Sequence, residues 1–336
     1  MGKPEHNGKR SELQNDGSSS SLPSPPSYIE PGTTTRFLLP DGFPEPSADE
    51  QHPDQIISNC PRPPHSWTPC PGHAFNVRCG PNYALNGHKT ASAAPLYDVY
   101  AVDVYQNAQK LPFVARVTSM PEDPSSSQLS LPPYLIFNIL VPNYAPGGML
   151  SQKRNNGPGW NLVLHCRLSE AARTSILEGR PSAAVDLLRR FMHPEDGAHL
   201  RKERLKIILG VVDFNEPGFN LVTKQLLQSY NFKPFLSKTA SSFYLQPQRC
   251  FEIDVDIHSW SQAALSAFQM CKAKLSKTTV RVGVVIEAEG DEEMPEQVLA
   301  GIYLSYLDPS NAIDFTPELT AYLASEHGCT AALPKC

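Results

Sequence analysis

Three carboxylates, Glu252, Asp254 and Asp256, alternate with Ile253, Val255 and Ile257. Successive side chains of a strand point to opposite faces, so the acids share one face and the aliphatic residues the other. Acids two apart on a strand sit roughly 7 Å from each other. Like charges that close raise each other's pKa unless a cation intervenes. The cation is either a hard metal such as Ca²⁺ or Mg²⁺, or an arginine from an adjoining strand, with Arg78, Arg249 and Arg281 as candidates. Three chemistries fit the pattern: an ion-paired or solvated sheet face, the polar wall of a ligand cavity, or the carboxylates of a hydrolase. The ion-paired face is the simplest of them, and no metal or cofactor is expected.

A second constellation is basic. Arg189, Arg190, Arg201, Lys202, Arg204 and Lys206 stand against Glu195, Asp196 and Glu203, six cations to three anions. Basic residues near an anionic leaflet contribute about 1 kcal/mol each. With Lys153 and Arg154 they form a candidate contact for an anionic membrane, against the simpler reading of a solvated helix face. Cys70, His73, Cys79 and His88 match none of the paired zinc spacings. His165 and Cys166 are adjacent and so face opposite sides of a strand. The chain contains no G-x-x-x-x-G-K-[ST], G-x-G-x-x-G or G-x-S-x-G string, so the usual enzyme signatures are missing. Trp67, Tyr83, Tyr97, Trp160 and Trp260 line either an apolar pocket or, more simply, the core.

These residues need a scaffold, and the pattern predicts one. Residues 1–63 are rich in Ser, Pro and charge, which predicts a disordered tail. An α+β domain is expected over 64–312, and a flexible tail with a short helix begun at Thr316-Pro317 over 313–336. Strand-like runs are Ala74–Arg78, Leu96–Tyr105, Tyr134–Val141, Trp160–Arg167, Lys206–Phe214, Cys250–Ile257 and Val280–Ala288. Helices capped by Ser169 and Ser182 make a central insertion, with a third over Leu221–Leu227. Ser259 is expected to cap another, and Pro295 to open a helix carrying Val298, Leu299, Ile302 and Tyr306. The result is an antiparallel, curved sheet with a strand–helix–strand–helix C-terminal part. Closed by its last helix, such a sheet would enclose a cavity as lipid-transfer folds do.

The totals exclude some functions. A net charge of −5 leaves no whole-chain footprint for nucleic acid. No apolar run reaches the roughly 20 residues of a transmembrane helix, so any membrane contact is expected to be peripheral. The start of the chain lacks the apolar segment of a secretory signal. A cytoplasmic location with reduced thiols is therefore expected for the 8 Cys, none of which falls in a C-x-x-C pair.

Several strings, in order, carry a family resemblance. They are Trp67, Phe75-Asn76-Val77-Arg78, Gly80-Pro81-Asn82-Tyr83, Leu96-Tyr97-Asp98, Val102-Asp103, Asn138 with Val141-Pro142, Arg204-Leu205-Lys206-Ile207, Glu252-Ile253-Asp254-Val255-Asp256-Ile257, Ile286-Glu287-Ala288 and Pro295-Glu296. Over Trp67 to Asp308 the chain resembles the C-terminal domain of the plant ENHANCED DISEASE RESISTANCE 2 family. Cys79 interrupts the usual Arg-Gly-Pro-Asn-Tyr string, and Met294 replaces a usual Leu. In plants this domain often follows a pleckstrin-homology domain and a steroidogenic-acute-regulatory-related lipid-transfer domain. The resemblance therefore implies a lipid-linked setting, although residues 1–63 are too few to hold either companion.

The functional expectation is a non-catalytic, lipid- or membrane-associated regulatory module. Glu252, Asp254, Asp256, Arg78, Trp160 and Trp260 are its expected ligand contacts. Lys153, Arg154, Arg189, Arg190, Arg201 and Lys202 are its expected membrane contacts. The alternatives are a protein-interaction domain without a small ligand and a carboxylate-dependent hydrolase.

Overall fold

Tyr134–Pro142 (β5) is almost entirely apolar and almost entirely buried, as befits a strand covered on both faces. In the computed structural model it lies inside a six-stranded sheet. The structure describes residues 25–32, 54, 57, 64–144, 155–214, 221–325, 332 and 333.

The strands in chain order are Ser66–Pro69 (β1), Asn76–Arg78 (β2), Lys89–Ala91 (β3), Tyr97–Asn107 (β4), β5, Gly159–Leu168 (β6), Leu205–Val211 (β7), Phe235–Leu236 (β8), Ser241–Gln246 (β9), Cys250–Asp256 (β10), Thr279–Ile286 (β11), Val298–Ser305 (β12) and Ile313–Asp314 (β13). The helices are Tyr83–Asn86 (α1), Glu170–Leu177 (α2), Ala183–Met192 (α3), Ala198–Glu203 (α4), Leu221–Tyr230 (α5), Gln262–Lys272 (α6) and Pro317–Ala324 (α7). One sheet runs β13-β4-β6-β5-β10-β9 and the other β1-β12-β11-β7-β8, with β2 and β3 as a separate pair. Most pairings are antiparallel; β10 beside β5 and β13 beside β4 are parallel. The molecule is thus an α+β fold with two open sheets.

Inner faces of both sheets meet in one core. Phe137, Leu164, Phe251 and Ile253 from the first sheet share it with Val284, Leu299 and Ile302 from the second. The central helices close its side. Ser169 and Ser182 accept the amides of Ala172 and Val185, as N-caps do. Val185, Leu188 and Phe191 of α3 then fall on the buried stripe.

Two helix expectations need correction. The residue that caps α6 is Ser261, which accepts the Ala264 amide, and Ser259 ends a 3-10 turn instead. The helix expected from Pro295 is the strand β12. Val298, Leu299 and Ile302 do fit a helical stripe, yet every residue of β12 is buried. A strand covered on both faces has no alternation, so period alone cannot separate it from a buried helix. Gly283 and Gly301 decide the matter, because they face each other across β11 and β12. A Cβ on Gly283 would lie 2.4 Å from the Phe75 ring, which covers the pair. The C-terminal order is therefore strand–helix–strand–strand. The closing role given to the last helix also falls away. α7 sets Leu319 and Leu323 on the outer face of the six-stranded sheet, beside Tyr105 and Phe113. Among the described residues no helix is long and apolar enough to cross a membrane.

Parts of the first 63 residues also pack. Ile29 pairs with the 117–119 segment, its amide 2.7 Å from the Val117 carbonyl and its carbonyl 2.8 Å from the Ser119 amide. Ile57 is fully buried against Phe75, Ile208, Val285 and Tyr303. Burial of one such side chain contributes about 2 kcal/mol. The apolar island Phe37–Pro40 lies outside the described residues.

Candidate functional site

The outer face of the six-stranded sheet carries a polar layer that never reaches water. Asp103 on β4, Asn161 and His165 on β6, Asn138 on β5, and Glu252 and Asp254 on β10 are all at most 1% exposed. Strand register sets them side by side, since Asn138 stands opposite Val163 and Asp254, and Ile136 stands between His165 and Glu252. The 111–118 segment roofs this layer, with Leu111, Phe113, Val114 and Val117 in the same cluster as Tyr134 and Ile136.

Backbone amides hold the acids. Val114 N and Ala115 N donate to Glu252 Oε1 and Oε2 at 2.9 and 2.7 Å. Phe113 N donates to Asp254 Oδ2 at 3.1 Å, and Asn138 Nδ2 donates to Asp254 Oδ1 at 3.0 Å. Asn161 Nδ2 donates to Asn138 Oδ1 at 2.7 Å and to the Leu111 carbonyl at 2.7 Å. Every oxygen of the acid pair thus has a donor, and both strand and roof contribute to the same network. Phe113 takes a left-handed backbone, φ 56°, which turns the chain so that three successive amides aim at the acids.

Burial pushes both carboxyls up, because the charged form is poorly solvated there. Asp254 is pushed well above the usual range, also by the charge on Glu252 and a hydrogen bond to it. Three amides and Asn138 donate to the pair and favour negative charge, which opposes the effect of burial. A carboxyl–carboxylate pair can in principle do acid–base work. This one faces its own roof and is built as a clamp.

The arginine partners expected for the acid strand are not the ones the structure uses. Asp256 pairs with Lys110 at 2.8 Å. Arg78 instead bonds Glu287 at 3.0 Å and the Ala288 carbonyl at 3.0 Å. Arg249 reaches Gln246 and the Thr118 carbonyl, and Arg281 reaches Asp54 at 2.7 Å. Trp160 is buried in the main core. Trp260 is half-buried, its ring edge-on to Phe235 at 6.1 Å and to Phe268 at 5.8 Å. The six expected ligand contacts therefore do not converge on one cavity. The shallow depression on α2, about 440 Å³ and lined by Glu170, Thr174, Glu178 and Arg180, contains none of them.

The basic stretch divides as well. Arg189 and Lys202 are exposed. Arg190 pairs with Glu293 at 3.0 Å. Arg201, expected at a membrane, is instead fully buried. Its guanidinium donates to the carbonyls of Phe191, His193 and Pro194 at 2.7–2.8 Å, closing the C-terminal end of α3. Arg204 bonds Glu293 and Glu289, and Lys206 bonds Glu296. Burial lowers the Lys206 pKa, which Glu296 partly restores. Lys153 and Arg154 lie outside the described residues.

The signal for the polar layer was present in Asn138, a lone amide inside the apolar run of β5. Buried polar groups are hydrogen-bonded, so such a residue announces partners. Nothing in 111–118 announces that its amides supply them.

A family model described as Protein ENHANCED DISEASE RESISTANCE 2, C-terminal, matches residues 67–308. A relative from Arabidopsis thaliana, named Protein ENHANCED DISEASE RESISTANCE 2-like, is 22% identical over 247 residues. That match covers 74% of this chain and 29% of the relative, so the chain spans under a third of the relative's length. No solved structure matches the chain. The matched span covers both sheets apart from β13 and the first residue of β1, and includes the acid clamp and the 111–118 roof; the chain belongs to the family defined by the C-terminal domain of ENHANCED DISEASE RESISTANCE 2.

Proposed function

We propose that this chain is a non-catalytic binding module that associates with a lipid or a membrane surface. One observation carries the non-catalytic half: Glu252 and Asp254, its most chemically capable side chains, have every oxygen capped from within. A hydrolase reading needs those oxygens to open into a cleft.

The apolar half rests on a half-exposed row. Phe235, 37% exposed, stands opposite Ile207, and Leu209 two residues along β7 is 41% exposed. Trp260 and Phe268 extend the row by edge-on contacts. Aromatic residues with one apolar face suit a membrane interface. Lys233 beside the row is exposed. A protein partner is the second reading, since the same row also suits an interface core.

Vesicle flotation tests the proposal. The full chain is expected to float with vesicles of phosphatidylcholine and phosphatidylserine, and to lose at least half of that binding when Phe235 and Trp260 are replaced by Ser. Flotation no better than albumin in anionic and neutral vesicles at every salt concentration would sink the lipid reading.

A further inference from the structure

A groove on the outer face of the five-stranded sheet is filled by residues that precede the matched span. Asp54 and Ile57 are both helical and three apart, so they lie on one face. Asp54 Oδ1 accepts from Arg281 Nη1 at 2.7 Å and from the Tyr303 hydroxyl at 2.9 Å. Ile57 fills the space between Ile208, Val285, Val298 and Tyr303 with no exposure.

We infer that this groove is a docking site for a short acidic–aliphatic peptide segment of the form Asp-x-x-Ile, occupied in cis by Asp54 and Ile57 and open to the same segment offered in trans. The inference goes beyond the function proposed above and does not depend on it. Arg281 is held by more than its acid, because its guanidinium also lies over the Phe75 and Phe232 rings at 5.0 and 3.9 Å. Phe75 is in turn seated on Gly283 and Gly301, where no side chain competes for the space. A fixed cation beside an apolar slot reads one carboxylate and one aliphatic side chain, and Tyr303 adds a directional donor. Both anchors precede residue 67, so the groove belongs to the family domain and its occupant does not.

The contact has the strength of an exchangeable one. Among the described residues it rests on one aliphatic side chain and one acid, 30% exposed, that takes an ion pair and a hydrogen bond, and pairs open to water are screened. A weak contact made within one chain is kept occupied by its high effective concentration, of order mM for a short tether. A free peptide at comparable concentration then competes.

Fluorescence anisotropy of a labelled peptide spanning residues 50–59 tests this against the full chain. The Asp54→Ala/Ile57→Ala variant vacates the groove and is expected to bind the peptide about tenfold more tightly than the wild type. Adding Arg281→Met to that variant should remove the gain. Equal binding to wild type and vacated variant, or none to the vacated variant at 1 mM peptide, overturns the inference. So does a vacated variant that fails to fold, since the segment would then be part of the core. Hydrogen exchange on the wild type gives a readout without substitution. Excess peptide should speed exchange at residues 54–57 several-fold, and unchanged exchange also overturns the inference.

Discussion

The amide of Val114 lies 2.9 Å from Oε1 of Glu252, across 138 residues of sequence. With Ala115 it satisfies both oxygens of an acid buried in the sheet, and this fixes the roof to the strand below. Glu252→Gln replaces one acceptor by an amide group that faces an N–H. A buried donor left without its acceptor costs about 1–3 kcal/mol, and more when the lost acceptor was charged. We expect Glu252→Gln to lose about 3 kcal/mol in urea unfolding at neutral pH. The 111–118 amides should also lose hydrogen-exchange protection.

Asp254 behaves differently because its carboxyl is held well above the ordinary range by burial and by Glu252. Its sign follows from linkage. A raised folded pKa contributes stability that is complete below the unfolded value, near 3.8, and is lost as pH rises through the folded value. Asn at this position stays neutral at every pH. Asp254→Asn should therefore be less stable than the wild type near pH 4, and the difference should shift in its favour as pH rises to 8. Urea melts at four or five pH values read this directly. A parallel pair of curves would show that Asp254 is ionised in the folded protein.

How far the site could be read from the sequence depends on which partner is asked about. Alternation along β10 correctly separates Glu252 and Asp254 from Ile253 and Val255, since strand geometry alone sets it. What the acids face is invisible, because a backbone amide carries no residue signature and 113–115 is Phe-Val-Ala. Arg201 is hidden for a related reason. In a run of charges it reads as solvated, but it satisfies carbonyls that any sequence possesses. β12 reads as a helix because its burial on both faces erases the strand period. Family strings were legible across the whole matched span because they are side-chain patterns.

Arg201 and Lys202 are neighbours with opposite fates. Arg201 holds three carbonyls at the end of α3 with no exposure, and Lys202 is exposed. Hydrogen bonds to a charged group are worth about 1.5–3 kcal/mol net, and orphaned carbonyls add to the loss. Arg201→Met should cost about 3–4 kcal/mol in thermal or urea unfolding. Lys202→Met should stay within about 0.5 kcal/mol, as surface changes do. Equal effects at the two positions would place Arg201 at the surface.

Asp123 and Arg173 set an acid-side limit. The Arg173 guanidinium hydrogen-bonds both oxygens of Asp123, and Ser125 adds its amide and hydroxyl at 2.9 and 2.7 Å. These donors, Arg173 first, hold the Asp123 carboxyl down at about 2. A depressed carboxyl contributes stability above its unfolded value, 3.8, and loses it as pH falls through the folded value. Asp123→Asn should cost about 1–2 kcal/mol at pH 7. That cost should shrink toward zero between pH 4 and pH 2, the opposite trend to Asp254→Asn.

Gly283 tests why β11 and β12 lie where they do. A Cβ there would sit 2.4 Å from the Phe75 ring, and the ring is packed beneath Arg281 with Val285 and Tyr303 in its cluster. The ring cannot retreat without moving them, so Gly283→Ala overpacks the face and should cost about 1–3 kcal/mol. Phe75→Leu alone also costs stability, through lost area and a cavity. Combined, the smaller side chain leaves room for the new methyl. The double variant should be more stable than the sum of the two losses by at least 1 kcal/mol, the coupling expected of residues in direct contact. Additive losses in urea unfolding would mean that Phe75 does not cover Gly283, and the groove that receives Asp54 and Ile57 would lose its floor.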